Sequence, residues 1–387
     1  MQFKSKPRDN AIALPVADCC LAVAGRWRRG LRMAIAGDRE RDGEHSTGPE
    51  KINMKKRVHI LAALAGLMVS STAMAALTLQ DDVDKNRQSD IFFSGGSSLA
   101  YWTSELDDFY DFYDGSLYFN SRYAGDGGAS YRVVAVSDFD GDRSADVLWA
   151  NATQLKLWIN NGSGGYTPVP AGTFGGSWEP FAARDLNGDG KSDILFRKGS
   201  ELVFRLMDGA KILQDNYFGD GGPGYQVIAL DDFDADGVAD VLWSNGSQLK
   251  VWRSRAGHAT SVIANYGGGW EAFAGGDINR DGVADILFRN GTHIAYWLMN
   301  ANSQVNGIFY GGDGGPGFRV IAVSNYFGPG GVQILWADGS RIKLWYYDNY
   351  NKPDGFHLYS EFVGPTSYVS HVSYGGGWQP LSLLIAQ

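Results

Sequence analysis

An acidic loop that recurs along the chain is the feature that most limits how this chain can fold. Its clearest copy is residues 232–240 (Asp-Phe-Asp-Ala-Asp-Gly-Val-Ala-Asp), and the apolar run Val-Leu-Trp follows it directly. Carboxylates at alternate positions of a short loop repel one another unless a cation lies between them. Oxygen ligands around a turn that glycine permits suit a hard cation, so the loop predicts a calcium site.

The same pattern occurs five times, with Asp or Asn at positions one, three, five and nine. These residues are Asp82, Asp84, Asn86 and Asp90; Asp138, Asp140, Asp142 and Asp146; Asp185, Asn187, Asp189 and Asp193; Asp232, Asp234, Asp236 and Asp240; and Asp277, Asn279, Asp281 and Asp285. A sixth copy at 325–333 keeps the apolar run that follows, but Phe327, Pro329 and Gln333 occupy three of its four positions. It predicts the same local fold without the metal.

The flanks of the loop exclude an EF-hand. Position twelve counted from Asp232 is Trp243 instead of Glu, and both flanks alternate like strands instead of helices. Over residues 80–387 the repeats resemble the FG-GAP/VCBS repeats of extracellular β-propellers, the fold of the integrin α-subunit head. The resemblance implies calcium in the loop between the first and second strands of a blade. Its ligands would be the four side chains given above for each of the five copies, with a main-chain carbonyl near position seven.

The spacing of the loops predicts the number of blades. Their first positions fall at 82, 138, 185, 232, 277 and 325. The three middle spacings are 47, 47 and 45 residues, a length that suits a four-stranded blade. A strand like those before the third and fifth loops appears again at the C-terminus, beginning at Trp378, and no loop follows it. This strand can complete the N-terminal blade and leave no open edge. We therefore expect an all-β propeller of six four-stranded blades, with seven blades as the alternative.

The N-terminal region has the pattern of an export signal. Residues 54–75 contain a basic start at 55–57, an apolar stretch at 58–69 and small residues at 73–75, as in a secretory signal peptide. The apolar stretch is too short for a membrane span. We interpret residues 1–53 as a misassigned translation start and expect residues 76–387 to form one domain. Cleavage near Ala75 would release it to an extracellular or periplasmic location.

Composition argues against several classes of function. The net charge is −9, and residues 1–75 hold an excess of basic residues, so the mature chain is more acidic still and nucleic acid is not an expected partner. Both cysteines precede the predicted cleavage site, so the mature chain has neither a disulfide nor a thiol nucleophile. No histidine pair has zinc-ligand spacing, and no nucleophile elbow or phosphate-binding loop occurs. No catalytic residue is predicted.

The units alternate in kind, so candidate ligand-binding residues occur in threes. Tryptophans at three strand starts have a neighbouring acid or amide, and Gly-Asp-Gly-Gly turns carry an acid in three other places. These candidates are Trp178 with Glu179, Trp270 with Glu271, Trp378 with Gln379, and the turn acids Asp126, Asp220 and Asp313. An aromatic face and a nearby polar group form a shallow sugar site. Packing of the three tryptophans in the core is the alternative.

The predicted function is a secreted, calcium-stabilised binding or adhesion module for a glycan or an extracellular protein. Two insertions, at 103–116 and 348–371, interrupt the repeat, and the first is rich in acids and aromatics. They leave open a polysaccharide-active lyase or hydrolase, with Glu105, Asp107, Asp108 and Asp111 as the acids available to it. A structural accessory subunit is the third alternative.

Overall fold

The computed structural model describes residues 81–106, 117–326, 332–347, 358–362 and 378–381. Residues 1–80, which include the predicted signal peptide, lie outside the described residues. The described part of the chain forms strands and turns, with six antiparallel sheets of four strands each. None of its segments is a helix with the length and apolarity needed to cross a membrane. The all-β prediction is confirmed.

Each sheet is one blade of a six-bladed propeller, which confirms the predicted number and excludes seven for this part of the chain. In order from the inner to the outer strand, blade 1 is β24 (Gln379–Pro380), β1 (Ile91–Gly95), β2 (Ser98–Leu106) and β3 (Leu117–Asp126). Blade 2 is β4 (Arg132–Ser137), β5 (Asp146–Ala150), β6 (Gln154–Asn160) and β7 (Tyr166–Thr173). Blade 3 is β8 (Glu179–Arg184), β9 (Asp193–Lys198), β10 (Glu201–Asp208) and β11 (Lys211–Asp220).

The remaining three blades repeat this order. Blade 4 is β12 (Gln226–Asp231), β13 (Asp240–Ser244), β14 (Gln248–Arg253) and β15 (Ala259–Asn265). Blade 5 is β16 (Glu271–Gly276), β17 (Asp285–Asn290), β18 (His293–Asn300) and β19 (Gln304–Asp313). Blade 6 is β20 (Arg319–Ser324), β21 (Gln333–Ala337), β22 (Ile342–Tyr347) and β23 (Leu358–Phe362).

The C-terminal strand closes the propeller as the sequence predicts. β24 pairs antiparallel with β1, with Pro380 opposite Phe93 and Gln379 opposite Ser94. The amide of Leu381 donates to the carbonyl of Phe92 at 2.7 Å and extends this pairing by one residue. Blade 1 is therefore built from both ends of the described chain, and its inner edge is paired.

The second strand of each blade lies in the core. All five residues of β5, β13 and β21 are buried. Each of these strands contains one tryptophan, which is 1% exposed: Trp149, Trp243 and Trp336 respectively. A strand covered on both faces needs apolar side chains at successive positions, which explains the unbroken Val-Leu-Trp pattern. Trp149, Trp243 and Trp336 therefore pack in the core between blades.

The two insertions are shorter than the sequence implied. Thr103 and Ser104 are buried residues of β2, so the first insertion begins after this strand, and residues 107–116 lie outside the described residues. In the second insertion, Leu358–Phe362 is β23, the outer strand of blade 6. Strand residues therefore lie at the start of the first insertion and within the second. Asp107, Asp108 and Asp111, three of the acids considered for an enzymatic role, lie outside the described residues.

Candidate functional site

The five acidic loops share one conformation, and the position-one carboxylate organises it. In the fourth loop, Asp232 Oδ2 accepts a hydrogen bond from the amide of Gly237 at 2.7 Å, and Oδ1 accepts one from the amide of Asp236 at 3.1 Å. The same oxygen of position one accepts the amide of position six in the other four loops, at 2.8 to 3.0 Å. The loop therefore closes on its first side chain.

Two residues in the left-handed backbone conformation shape each loop. Positions four and six have positive φ in all five copies, for example 62° at Ala235 and 81° at Gly237. Only the third copy has glycine at both positions, Gly188 and Gly190. The sequence pattern predicts the turn at position six and misses the one at position four, because Lys, Ala and Arg occupy that position in three copies.

The position-nine carboxylate joins the loop to the third strand of its blade. Asp240 Oδ2 accepts the amide of Phe233 at 3.2 Å, and Oδ1 accepts the amide of Ser254 at 2.9 Å. The equivalent pair of bonds occurs at Asp90, Asp146, Asp193 and Asp285. All five carboxylates belong to fully buried residues. Position nine therefore has a structural role in addition to any role in binding metal.

The degenerate sixth copy keeps part of this structural role. Gln333 is 3% exposed, and its Oε1 accepts the amide of Tyr326 at 2.5 Å. This bond is equivalent to the one between Asp240 and Phe233. A neutral amide oxygen can accept this bond, so the contact between Tyr326 and Gln333 is kept although three of the four predicted ligand positions lack Asp or Asn.

Three loops bring carboxylate oxygens close enough to share a cation. One oxygen from each of positions one, three and nine lies within 4.8 Å of the others in three sets. The sets are Asp82, Asp84 and Asp90; Asp138, Asp140 and Asp146; and Asp232, Asp234 and Asp240. Asp234 Oδ1 is buried without a hydrogen-bond partner, so one acceptor of the fourth loop is available to a cation. These donor sets fit a hard divalent ion.

The other two loops differ at position three. Asn187 Nδ2 donates to Asp189 Oδ2 at 3.1 Å, and Asn279 Nδ2 donates to Asp281 Oδ2 at 2.9 Å. The side-chain amide of each asparagine thus contacts the position-five carboxylate, and it offers a cation one oxygen where an aspartate offers two. At position five of the second and fourth loops, the carboxylates of Asp142 and Asp236 each accept a hydrogen bond from the main-chain amide two residues later, at 2.8 and 2.9 Å.

Burial of the position-nine carboxylates favours their protonated form. Desolvation raises the pKa of Asp146 and Asp193 to about 7 and that of Asp240 and Asp285 to about 8. The neighbouring loop carboxylates raise these values further, against the effect of the amide hydrogen bonds. A cation held between the carboxylates would counter both effects.

A closed circle of main-chain hydrogen bonds links neighbouring loops. The carbonyl of position one accepts the amide of position eight in the next loop. The six donor and acceptor pairs are Ala145 to Asp82, Ser192 to Asp138, Ala239 to Asp185, Ala284 to Asp232, Val332 to Asp277 and Ser89 to Asn325, at 2.6 to 3.1 Å. The degenerate loop takes part, so the circle is complete. Each candidate metal loop therefore also joins two blades.

The candidate ligand residues lie at the opposite ends of the strands. There, blades 1, 3 and 5 each place four residues side by side across the sheet, and we call each set an end row. The end rows are Trp378, Gly95, Ser98 and Asp126; Trp178, Lys198, Glu201 and Asp220; and Trp270, Asn290, His293 and Asp313. The structure thus brings each predicted tryptophan into the same blade as one predicted turn acid.

An exposed tyrosine that the sequence analysis did not single out accompanies each row. Tyr123, Tyr217 and Tyr310 are 64%, 60% and 51% exposed and lie on the outer strands of blades 1, 3 and 5. Each is three residues before the turn acid, and a register shift between the row and the tyrosine places both on the same face of the sheet. Each blade end therefore combines Trp, Tyr and Asp.

The acids next to the tryptophans face the other side of the sheet. Successive strand residues point to opposite faces, and Glu271 forms a salt bridge with Arg289 at 2.9 Å. Glu179 pairs with Arg197 at 3.3 Å and with Arg132 of blade 2 at 3.1 Å. Gln379 lies opposite Ser94 in the closing pair. In each of these three blades, the tryptophan and the acid or amide that follows it in sequence therefore lie on opposite faces of the sheet.

The turn acids hold their own turns. Asp220 accepts Ser200 Oγ at 2.6 Å and the amide of Gly222 at 2.8 Å, and these bonds lower its pKa. Asp313 accepts Thr292 Oγ1 at 2.5 Å and the amide of Gly315 at 2.8 Å. Each carboxylate is solvent-exposed and keeps further acceptor capacity for a ligand.

Comparison with known proteins supports the repeat assignment. The family model of the FG-GAP-like repeat matches residues 138–196 and 232–288, which contain four of the five acidic loops and parts of blades 2 to 5. A search of curated proteins found no match.

Two solved structures illustrate the similarity of the fold. One, from Agrocybe aegerita, is described as showing specific recognition of non-reducing terminal N-acetylglucosamine by a lectin; it is 15% identical with a TM-score of 0.50, over 74% of this chain and 80% of that one. The other is the Tc holotoxin pore of Photorhabdus luminescens, 11% identical with a TM-score of 0.49, over 69% of this chain and 13% of that one. At 15% identity, the similarity to the first of these structures concerns the fold alone. Matched repeats within six four-stranded blades identify this chain as an FG-GAP-repeat β-propeller.

Proposed function

We propose that the protein is an exported, calcium-stabilised propeller that binds glycans through the end rows of blades 1, 3 and 5. The observation that carries the binding function is the repetition of the row. Three blades present Trp, Asp and an exposed Tyr at the same strand ends. A sugar ring offers an apolar face to an aromatic side chain and hydroxyl groups to a carboxylate.

Calcium is the proposed metal because the loops offer only oxygen donors. The sets at the first, second and fourth loops are made of carboxylates with oxygens within 4.8 Å of one another. Calcium takes six to eight oxygen ligands in flexible geometry. Its role would be to stabilise the loops, since the end rows lie at the other ends of the strands.

The glycan assignment is preferred over a protein partner because the aromatic surface is divided. Each row lies on a separate blade, and separate rows suit a ligand made of repeated small units. Several weak sites on one rigid body gain avidity on a dense glycan surface. The similarity in fold to a lectin is compatible with this assignment. The acidic net charge of −9 disfavours nucleic acid.

A glycan array tests the binding function. The calcium-loaded protein is expected to bind a restricted set of glycans, and the triple variant Tyr123→Ala, Tyr217→Ala, Tyr310→Ala is expected to lose this binding while it remains folded. Retention of an unchanged glycan profile by the triple variant, or no binding by the parent, would contradict the proposal.

Export is tested separately by N-terminal sequencing of the secreted protein, which is expected to begin near Ala76.

A further inference from the structure

The three end rows differ in their two middle residues. In blade 3 these are Lys198 and Glu201, which form an ion pair at 3.4 Å. The ammonium group of Lys198 lies 5.6 Å from the ring centroid of Trp178, and Tyr217 Oη donates to Glu201 Oε1 at 3.4 Å. Two long side chains therefore fill the space between the tryptophan and the tyrosine.

Blade 5 is filled in a similar way. His293 Nδ1 and Tyr310 Oη are 2.6 Å apart, and the two rings are 6.0 Å apart between centroids. Asn290 lies next to His293 in the row, and its Nδ2 donates to the carbonyl of Gly268 at 3.4 Å. The tyrosine hydroxyl that could meet a ligand is already bonded within the row.

Blade 1 has small residues at both positions. Gly95 and Ser98 stand where the other rows have Lys198 and Glu201 or Asn290 and His293. A side chain at Gly95 would contact the ring of Trp378, because an added Cβ would be 3.1 Å from it. Trp378 therefore lies over Gly95, and its ring meets Tyr123 edge to face at 6.2 Å between centroids. The planes of the two rings are 76° apart, so the rings lie in contact but present their faces in different directions.

Polar groups border these two aromatic rings on one side. Ser98 lies directly opposite Asp126 across β2 and β3. Asp126 is exposed and accepts the amide of Gly128 at 2.8 Å, and a hydrogen bond from the side chain of Ser97 lowers its pKa, so it is an ionised acceptor at neutral pH. An ionised carboxylate accepts hydrogen bonds from neutral sugar hydroxyls and repels an anionic sugar.

We infer that Trp378, Tyr123, Ser98 and Asp126 at the end of blade 1 form the one preformed sugar site of the three rows, selective for a neutral pyranose. This inference rests on the proposed glycan function and narrows it from three equal sites to one main site. A pyranose ring would stack on one of these two aromatic rings, beside the small side chain of Ser98. Its hydroxyls would donate to Asp126. Since Trp378 immediately precedes β24, the site exists only when the propeller is closed.

The test is calorimetric titration of the calcium-loaded protein with chitotriose, cellotriose and trigalacturonate. The expected result is binding of a neutral trisaccharide at one site per chain, with weaker or no binding of trigalacturonate. Tyr123→Ala is expected to weaken binding at least about fivefold through loss of an aromatic contact. Ser98→Glu places in blade 1 the residue that blade 3 carries at the equivalent position, so the fold tolerates it, and it is expected to block binding.

Tyr310→Ala, in the blade 5 row, is expected to weaken binding less than Tyr123→Ala does. Val262→Ala, at an exposed position of blade 4 outside the end rows, is the control and is expected to leave the affinity unchanged. Unchanged affinity in Tyr123→Ala, equal weakening by Tyr123→Ala and Tyr310→Ala, or a preference for trigalacturonate would each overturn the single neutral site while glycan binding itself still stands. If the parent binds none of these sugars and nothing on a glycan array, the proposed function fails and this inference fails with it.

Discussion

The main-chain carbonyl of Asp138 in the second acidic loop accepts a hydrogen bond of 2.8 Å from the amide of Ser192 in the third. The side chains of Ser137 and Ser192 also meet at 2.5 Å beside this bond. Equivalent main-chain bonds link all six loops. Residues whose carboxylates are candidate metal ligands thus also hold neighbouring blades together, so metal binding and the closure of the propeller involve the same segments.

Removal of one loop carboxylate should lower both calcium content and stability. Asp234→Ala takes one of three converging carboxylates from the fourth loop, so we expect one calcium fewer per chain. The loss corresponds to about 1 to 3 kcal/mol at saturating calcium, measured by thermal unfolding. Glu271→Gln is the control, since it removes an exposed acid of blade 5 that lies outside the loops. Equal calcium content in both variants would contradict the loop assignment.

Backbone strain at position six predicts opposite effects in two loops. Arg143 has φ of 73°, where a side chain is unfavourable, and Gly190 has φ of 82° at the equivalent place with no atom near an added Cβ. Arg143→Gly should therefore stabilise the protein by up to about 1 kcal/mol, and Gly190→Ala should destabilise it by about 1 kcal/mol. Denaturant unfolding in saturating calcium measures both. The same sign for both variants would contradict the left-handed geometry.

The stabilisation by calcium should increase with pH. The pKa of Asp146 and Asp193 is raised to about 7, and that of Asp240 and Asp285 to about 8. A raised pKa means that the folded state binds protons more tightly than the unfolded state, so the metal-free protein loses stability as pH rises from about 4 to about 8. Calcium requires the ionised carboxylates and so binds more tightly over the same range.

Melting temperatures at pH 5, 6, 7 and 8 would measure this effect, with the protein loaded with calcium or depleted of metal by dialysis. The difference between the two forms should widen from pH 5 to pH 8. A constant or narrowing difference would show that these carboxylates are not linked to the metal. Dialysis is preferred over a chelator because chelators themselves lose affinity as they are protonated at low pH.

The features predicted correctly from the sequence depend on local patterns. Acids at alternate positions, a repeat of 45 to 48 residues in four of its five intervals and unbroken apolar strands predict the loops, the blade number and the closing strand. Tyr123 was missed because it is three residues from Asp126, a spacing that puts two side chains on opposite faces of a regular strand. The register shift between Leu99 and Ala100 reverses this relation, and it depends on strand pairing that the local pattern does not show.

The circle of main-chain bonds was unpredictable for a different reason. Every residue has an amide and a carbonyl, so the bond between Ser192 and Asp138 has no side-chain signature. The pairing of Glu271 with Arg289 also depends on the register of β16 and β17. Sequence adjacency suggested that Trp270 and Glu271 act together, whereas the alternation of strand side chains separates them.

Loss of the closing strand should be more damaging than its short length suggests. Deletion of residues 378–387 removes β24 and the bond between Leu381 and Phe92, and it leaves the inner edge of β1 unpaired. The deletion also removes Trp378, which is partly buried and packs against the core cluster that contains Phe93 and Trp102. An open, apolar strand edge pairs readily with other chains. We therefore expect aggregation of the truncated protein, observed by size-exclusion chromatography and light scattering.

Deletion of residues 383–387, which leaves β24 and Leu381 in place, is the control and is expected to remain monodisperse. A truncation at 378 that unfolds cooperatively as a soluble monomer would show that the propeller does not depend on this strand for closure.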